Sequence, residues 1–163
     1  MISSDDQLAI EQQLGRVIRG ALDVAHRCVC GQPDVVVTAP RLEDGSPFPT
    51  MYYLTCPKAT GAVGTLEANG VMRELQQEID SDPELAQHYA RAHTSYLEAR
   101  DALGQVEEIA GISAGGMPHR VKCLHVLAAH SLAVGPGVNP LGDRVLAMIG
   151  DYSGGRCCVQ ETS

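Results

Sequence analysis

Short runs of β-branched and aromatic residues predict three strands in the first third of the chain. The runs are Val24–Val29, Asp34–Thr38 and Met51–Thr55. A Cys-Gly-Gln-Pro turn follows the first run, and a loop with an Asp-Gly pair and two prolines follows the second. Because no helical pattern separates the three runs, we expect them to pair as one small antiparallel sheet.

Apolar residues spaced three and four apart predict helices around this sheet. The predicted helices cover residues 6–14, 58–69, 71–80, 83–106, 118–134 and 139–149. Asp82-Pro83 and Asn139-Pro140 have the residue types of an N-cap followed by a first helical position. The sequence therefore predicts a single α+β domain, with a three-stranded antiparallel sheet packed against about five helices. The ends, residues 1–5 and 152–163, are expected to be loosely held.

The predicted helix 83–106 carries a regular apolar seam. Its members alternate in steps of four and three residues: Leu85, Tyr89, Ala92, Tyr96, Ala99, Leu103 and Val106. One interpretation is that the seam packs on the neighbouring helices of the same chain. The alternative is a coiled-coil surface for a second copy or a partner protein, which the small Ala92 and Ala99 would let approach closely.

Charge and length narrow the classes of function. The chain has 163 residues, 12 basic and 20 acidic, and a net charge of −8. An acidic domain repels phosphate backbones, so nonspecific nucleic-acid binding is not expected. No window approaches the roughly 18 apolar residues of a membrane helix, and Met1–Gln12 lacks the basic start of a secretory signal. We expect a cytoplasmic protein without membrane insertion.

Six cysteines are the most distinctive chemistry of the chain: Cys28, Cys30, Cys56, Cys123, Cys157 and Cys158. Structural disulfides are not expected in a reducing compartment. The thiols are therefore metal ligands, reactive groups or small buried apolar residues. Zinc and iron–sulfur sites need four ligands, usually supplied by CxxC pairs, which this chain lacks. Cys56 is followed by a proline, and a proline is common directly after a cysteine that binds an iron–sulfur cluster.

The predicted helix 118–134 combines thiols and imidazoles. His119 and His130 lie four and seven residues from Cys123, hence on its face of a helix, whereas His125 points elsewhere. A cysteine one turn from a histidine can form a thiolate–imidazolium pair or supply two metal ligands. The sequence identifies no acid that would orient such a pair, and each histidine is equally consistent with a hydrogen-bonded surface residue.

A glycine-rich start to the same helix suggests an anion site. Free amides at Gly115-Gly116-Met117-Pro118, with Arg120 and Lys122 nearby, would attract a phosphate or carboxylate. Neither a Walker A loop nor a GxGxxG motif is present. One hypothesis is therefore a hydrolase or transferase of a phosphorylated small molecule, with Arg41, Arg120, Lys122 and His125 as anion contacts.

Six strings together point to a known family: Arg27-Cys28, Pro40-Arg41 with residues 44–50, Tyr53-Leu54-Thr55-Cys56-Pro57, Gly115-Gly116-Met117-Pro118, Val121-Lys122-Cys123-Leu124-His125 and Asn139-Pro140-Leu141-Gly142. Over nearly its whole length the chain resembles the bacterial, largely actinobacterial, domain of unknown function 501 family. The family has no established activity. Its genes commonly lie beside those of a septum-formation protein, an enolase and an exopolyphosphatase, which implies a role in cell division or housekeeping metabolism.

The resemblance also implies one metal or iron–sulfur site. Family members place cysteines at the positions of Cys28, Cys56 and Cys123, and some have another that matches Cys157 or Cys158. Some carry histidine in place of Cys56, which also suits a metal. This chain departs from the pattern at Val29-Cys30, where the family often has proline after the first cysteine. The position of His119 is commonly Asp, which argues against His119 as a ligand.

The sequence thus leads to three hypotheses, and it does not decide whether the protein is an enzyme. The first is a cytosolic protein that binds zinc or an iron–sulfur cluster for a structural or redox-sensing purpose. Its ligands would be Cys28, Cys56, Cys123 and Cys157, with Cys158 or His130 as substitutes. The second is an interaction module of cell division that docks through helix 83–106, with buried cysteines and no cofactor. The third is the phosphate-directed enzyme described above.

Overall fold

The chain forms a three-stranded sheet and six α-helices in a computed structural model that describes residues 1–154 and residue 158. The strands are β1 (Ala21–Arg27), β2 (Pro33–Thr38) and β3 (Tyr52–Leu54). The helices are α1 (Ser4–Leu14), α2 (Pro57–Ala68), α3 (Val71–Ser81), α4 (Pro83–Leu103), α5 (Leu124–Val134) and α6 (Pro140–Ile149), with one 3-10 turn at Glu107–Ile109. The predicted α+β class and antiparallel sheet are confirmed.

Strand β2 lies in the middle of the sheet and is covered on both faces. It pairs antiparallel with β1 and with β3, in the order β1-β2-β3. Val36 packs with Ile10 of α1 on one face, whereas Val35 belongs to the larger core on the other. This two-sided burial explains why β2 reads as a continuous apolar run instead of an alternating one.

Helix α5 begins six residues later than the sequence predicts. Residues 115–119 form turns, and Gly115 and Gly116 adopt positive φ angles of 67° and 92°. The amide of Lys122 donates to the Gly115 carbonyl at 2.9 Å, which closes this turn. The prediction of a helix over 118–134 is therefore wrong at its start. His119 and Cys123 do not share a helical face, and Pro118 does not open a helix that would bind an anion.

Helix α4 buries most of its predicted seam within the chain itself. Tyr89, Ala92 and Tyr96 are fully buried in the main core. The Tyr96 hydroxyl accepts a hydrogen bond from the Met51 amide at 2.6 Å, which ties α4 to the start of β3. An interface through helix 83–106 stays a prediction, and it would have to use other residues than these. Among residues 1–154 and 158, none of the helices, α4 included, is long and apolar enough to cross a membrane.

Hydrogen bonds hold residues near both margins of the described part of the chain. Ser3 caps α1 by accepting a hydrogen bond from the Asp6 amide at 3.1 Å, so Ser4 and Asp5 belong to this helix. Near the other end, the Tyr152 hydroxyl donates to buried Asp34 at 2.6 Å. Residues 155–157 and 159–163 lie outside the described part of the chain.

Gly142 allows α6 to pack tightly on α5, and we predict that Gly142→Ala destabilises the protein. A β-carbon there would overlap the Leu127 carbonyl oxygen and the Ser131 hydroxyl. Because the first of these atoms is backbone and cannot rotate away, we expect the free energy of unfolding to fall by about 2–3 kcal/mol. The matched control is Gly64→Ala in α2, where a β-carbon meets no atom within 4 Å. It should stabilise by up to about 1 kcal/mol. Urea unfolding measures both, and an unchanged Gly142→Ala midpoint would contradict the prediction.

Candidate functional site

Four cysteines from three parts of the chain gather beside the sheet, and we call them the thiol cluster (Cys28, Cys30, Cys56 and Cys158). The Sγ atoms of Cys28, Cys30 and Cys158 all lie within 4.8 Å of one another. The sulfur atoms of Cys30 and Cys158 lie 3.7 Å apart, and the Cys56 sulfur lies outside this group of three. Cys56, at the N-cap of α2, is near enough for its charge to raise the pKa of both Cys28 and Cys158.

A tight turn between β1 and β2 places the first two thiols. The Gly31 amide donates to the Cys28 carbonyl at 2.8 Å, and the Cys28 amide donates to the Gln32 carbonyl at 2.9 Å. Gly31 has a φ of 85°, a left-handed conformation that glycine adopts without strain. The turn therefore folds the chain back within three residues and brings the sulfur atoms of Cys28 and Cys30 together.

Three thiols of the cluster are buried, and burial favours the neutral form of Cys28 and of Cys158. Cys28, Cys56 and Cys158 are 5%, 0% and 7% exposed. Burial, and then the neighbouring thiols, raise the pKa of Cys28 and of Cys158 above the ordinary range. A bound divalent cation reverses this balance, because coordinated thiols lose their protons.

Hydrogen bonds hold the C-terminal segment in place at the cluster. Buried Asp34 accepts from the Tyr152 hydroxyl at 2.6 Å, and its other carboxylate oxygen lies 2.8 Å from His26 Nδ1. Lys58 donates to the Ser153 carbonyl at 2.6 Å. These contacts hold Tyr152 against β2 and Ser153 against α2, shortly before Cys158 in the sequence.

A second group of chemically active side chains lies at the start of α5, and we call it the thiol–imidazole site (Glu67, Cys123 and His125). Its three ligand-type atoms also lie within 4.8 Å of one another. His125 Nδ1 lies 3.1 Å from Glu67 Oε1 and 4.0 Å from Cys123 Sγ. The opposite ring nitrogen, Nε2, lies 3.1 Å from the Thr60 carbonyl oxygen. Because both ring nitrogens face acceptors, the ring is best satisfied as an imidazolium.

The charges at this site favour an ion pair. The Cys123 thiol raises the pKa of His125 to about 9, against the opposing effect of burial. Burial would raise the pKa of Cys123, but the His125 ring and the first amides of α5 outweigh it, so the pKa of this thiol is lowered. These effects favour a thiolate–imidazolium pair of Cys123 and His125, whereas burial favours the neutral thiol at Cys28 and Cys158.

The thiols expected to form one site are divided between these two. Cys28 and Cys158 come together, Cys56 lies beside them, and Cys123 belongs to the thiol–imidazole site. Cys157 lies outside the described residues. His130 is in neither group: it is fully buried between Tyr52 and Tyr96, at ring-centroid distances of 5.8 and 5.1 Å.

The sequence does not single out two residues of these sites, Cys30 and Glu67. Cys30 departs from the family pattern, although Gly31 after it indicates a turn that would bring Cys30 back toward Cys28. Glu67 lies in a different helix from Cys123 and His125, and no sequence spacing connects it with them.

The four anion candidates are not brought to one place. Arg41 pairs with Glu108 at 2.6 Å, and His125 is held by Glu67 and Thr60. Arg120 and Lys122 share an open surface cleft with Arg73. The proposed phosphate contacts are therefore split among three regions of the described chain.

The comparisons with known proteins give a family but no activity. Residues 24–147 match the family model described as protein of unknown function (DUF501). Neither the curated proteins nor the solved structures include a match to the chain. The matched region contains three members of the thiol cluster and the whole thiol–imidazole site. Since it spans well over half of the sequence, the chain belongs to the DUF501 family.

Proposed function

We propose that the protein binds one zinc ion at the thiol cluster, and that the ion fixes the C-terminal segment to the sheet. The observation that carries this proposal is the spacing of the sulfur atoms. Four thiolates at about 2.3 Å from a tetrahedral zinc ion lie about 3.8 Å from one another. The Cys30–Cys158 distance of 3.7 Å is that of one such edge.

The same spacing favours a single ion over an iron–sulfur cluster. The thiolates of a four-iron cluster bind four different iron atoms, so the width of the cluster separates their sulfur atoms. Here three sulfur atoms lie within 4.8 Å of one another. They can reach one ion with small rotations of their side chains, whereas a cluster would require them to move apart.

Cys56 is the fourth ligand of this proposal. Its side chain is fully buried next to Cys28 and Cys158, at the point where β3 leads into α2. The Gln13 amide donates to Cys158 Sγ at 3.2 Å, a contact that in metal sites orients a thiolate and disperses its charge. Four protein ligands leave no open position, which is typical of structural zinc sites.

Metal content tests the proposal. We expect the protein, purified without chelators, to contain one zinc per chain by elemental analysis. Cys28→Ser and Cys158→Ser should each weaken zinc binding by more than the ten- to a hundredfold typical of a lost outer-shell contact. Cobalt substitution should give the absorption bands of a tetrahedral thiolate site, which report the ligands directly.

The matched control is Cys123→Ser, which removes a thiol outside the cluster and should leave zinc content at one per chain. A protein that contains no metal and takes up neither zinc nor cobalt would end the proposal. Iron and inorganic sulfide in the purified protein would show that the thiols bind an iron–sulfur cluster instead of a single ion. The division-linked interaction module and the phosphate-directed enzyme stay predictions beside this proposal.

A further inference from the structure

We propose that the thiol–imidazole site is a second, catalytic site, in which Cys123 attacks the activated carbonyl of a small uncharged acyl ester or thioester. The inference rests on the arrangement of Glu67, Cys123 and His125 around a cavity, and it does not depend on zinc binding. It assigns the chain an acyl-transfer activity.

A cavity of about 290 Å³ adjoins the thiol. Cys123 and His125 form part of its wall, and the remaining lining residues are Thr50, Tyr52, Tyr53, Leu54, Thr60 and Val126. Apart from Cys123 and His125, these lining residues carry no ionisable group that is charged near neutral pH, so the cavity suits an uncharged group. Its volume is at the lower end of the range for small-molecule sites, which limits the acyl group to a short one.

The start of α5 activates the nucleophile. Cys123 is the N-cap residue of this helix, and the amides of His125 and Val126 in its first turn favour the thiolate. The positive end of the helix dipole acts in the same direction. Amides of this first turn are also the kind of donor that stabilises the negative oxygen of a tetrahedral intermediate.

His125 is held ready to transfer a proton. Its Nε2 donates to the Thr60 carbonyl at 3.1 Å, which fixes the ring with Nδ1 between Glu67 Oε1 at 3.1 Å and Cys123 Sγ at 4.0 Å. Nδ1 therefore carries the proton that a leaving group needs. The distance of 4.0 Å to sulfur is that of a loose resting contact, which tightens when substrate enters.

Glu67 is a positioning residue. Its Oε1 lies 3.1 Å from His125 Nδ1, and its Oε2 accepts from the Leu124 amide at 2.9 Å. One carboxylate thus holds both the imidazolium and the first turn of α5. Because each of its oxygens already has a donor and both ring nitrogens have acceptors, a metal ion would have to break these contacts. The three side chains together are better suited to acid–base chemistry than to metal binding.

The reaction balances without a further reagent besides water. Cys123 Sγ⁻ attacks the carbonyl carbon and forms a carbon–sulfur bond. The bond to the leaving alcohol or thiol breaks, its electron pair stays with the leaving atom, and His125 Nδ1 supplies the proton. Neutral His125 then takes a proton from water, and the hydroxide attacks the thioester. The carboxylic acid leaves, and the thiolate–imidazolium pair is restored.

Alkylation by iodoacetamide tests the nucleophile. At pH 6 we expect Cys123 to react at least about tenfold faster than the thiol of glutathione, because less than about 1% of a thiol of ordinary pKa is ionised there. His125→Gln should reduce this rate about tenfold and move the pH–rate profile upward. Glu67→Gln should shift the profile less, because loss of the Glu67 charge lowers the pKa of the ring and, directly, that of the thiol, and these two changes act on the thiolate in opposite directions. Peptide mapping by mass spectrometry identifies the modified cysteine, and circular dichroism checks that each variant folds.

Acid-quenched reaction with p-nitrophenyl esters tests the acyl step. We expect an acetyl adduct on Cys123, and kcat/KM should fall once the acyl chain outgrows the cavity. His119→Gln, which changes an exposed histidine outside both sites, should react like the natural protein. Fast alkylation without an acyl adduct would overturn the assignment of acyl transfer. Slow alkylation at pH 6 would show that Cys123 is not an activated nucleophile. Loss of one zinc per chain in Cys123→Ser would instead make this group a metal site and refute the inference.

Discussion

Replacing Arg100 with methionine is expected to lower the free energy of unfolding by about 3–5 kcal/mol. Arg100 is only 1% exposed, and it is the largest buried side chain recorded in the described residues. Its guanidinium donates to the carbonyls of Pro49, Ile109 and Ile112 at 3.0, 2.8 and 2.6 Å. Methionine would fill much of the space but leave the three carbonyls without these donors, and the Ile109 carbonyl lies in a buried position.

The control for this substitution lies on the same helix. Arg91→Met changes an exposed arginine of α4, and we expect it to alter stability by no more than about 0.5 kcal/mol. Urea unfolding followed by circular dichroism compares the two variants with the natural protein. Equal midpoints for Arg100→Met and Arg91→Met would show that the three carbonyl contacts contribute nothing net.

The role of Arg100 extends to the candidate catalytic site. Pro49 precedes Thr50 in the cavity wall, and Ile109 and Ile112 begin the segment that leads to Cys123. One side chain therefore anchors both loops that approach the cavity. Lysine cannot replace it, because three carbonyls at different angles require the forked donors of a guanidinium.

Local signals explain why much of the fold could be predicted from the sequence. Asp82 caps α4 through hydrogen bonds from the Glu84 and Leu85 amides, and Asn139 caps α6 through the Gly142 amide. Proline follows each of them, so the start of both helices depends on adjacent residues alone. The strands likewise depend on short β-branched runs bounded by turns.

The first residue of α5 could not be predicted from the sequence, because two local preferences conflict there. Apolar spacing after Pro118 continues a helical pattern, but Gly115 and Gly116 permit a compact turn. A β-carbon on Gly116 would approach the Arg120 carbonyl oxygen to 2.8 Å, so the turn depends on glycine at that position. Tertiary contacts decide the outcome: the carbonyl of Arg120 also accepts from buried Tyr89, 2.8 Å away in α4.

The division of the cysteines was beyond sequence reasoning for a different reason. Spacing indicates which residues share a turn or a helical face, but not which elements meet. Cys28 and Cys158 are separated by most of the chain, yet their sulfur atoms lie within 4.8 Å. Burial beside other thiols raises the pKa of these two, whereas an imidazole and a helix start lower that of Cys123. The same residue type thus suits metal binding at one site and nucleophilic attack at the other.

The burial of His130 leads to the second large prediction, which is that acidification destabilises the protein. Burial lowers the pKa of His130 to about 4, because its ring lies among Tyr52, Tyr96 and Asn139 without access to water. Its Nδ1 accepts from the Asn139 amide at 3.1 Å, and its Nε2 has no hydrogen-bond partner among residues 1–154 and 158. The charge of Asp143 in α6 acts in the opposite direction but is the smaller effect. The folded protein therefore holds this ring neutral.

The direction of this change in the free energy of unfolding follows from the different pKa of His130 in the folded and the unfolded chain. The unfolded chain protonates His130 below about pH 6.5, whereas the folded chain resists protonation until about pH 4. The stability contribution of the neutral ring is complete above pH 6.5 and is lost as the pH falls toward 4. At about 1.4 kcal/mol per unit, this residue alone removes about 2 kcal/mol between pH 7 and pH 5, and about 3 kcal/mol by pH 4.

Unfolding of His130→Phe at pH 7 and pH 5 isolates this effect. Phenylalanine keeps the ring packing but cannot gain a proton, so its loss of stability on acidification should be smaller than that of the natural protein by about 2 kcal/mol. His119→Gln, which changes an exposed histidine, should retain the full loss. Both variants keep every cysteine, so any release of metal from the thiol cluster by acid is common to them and cancels in the comparison. Equal acid sensitivity in all three proteins would mean that the His130 ring gains its proton without unfolding.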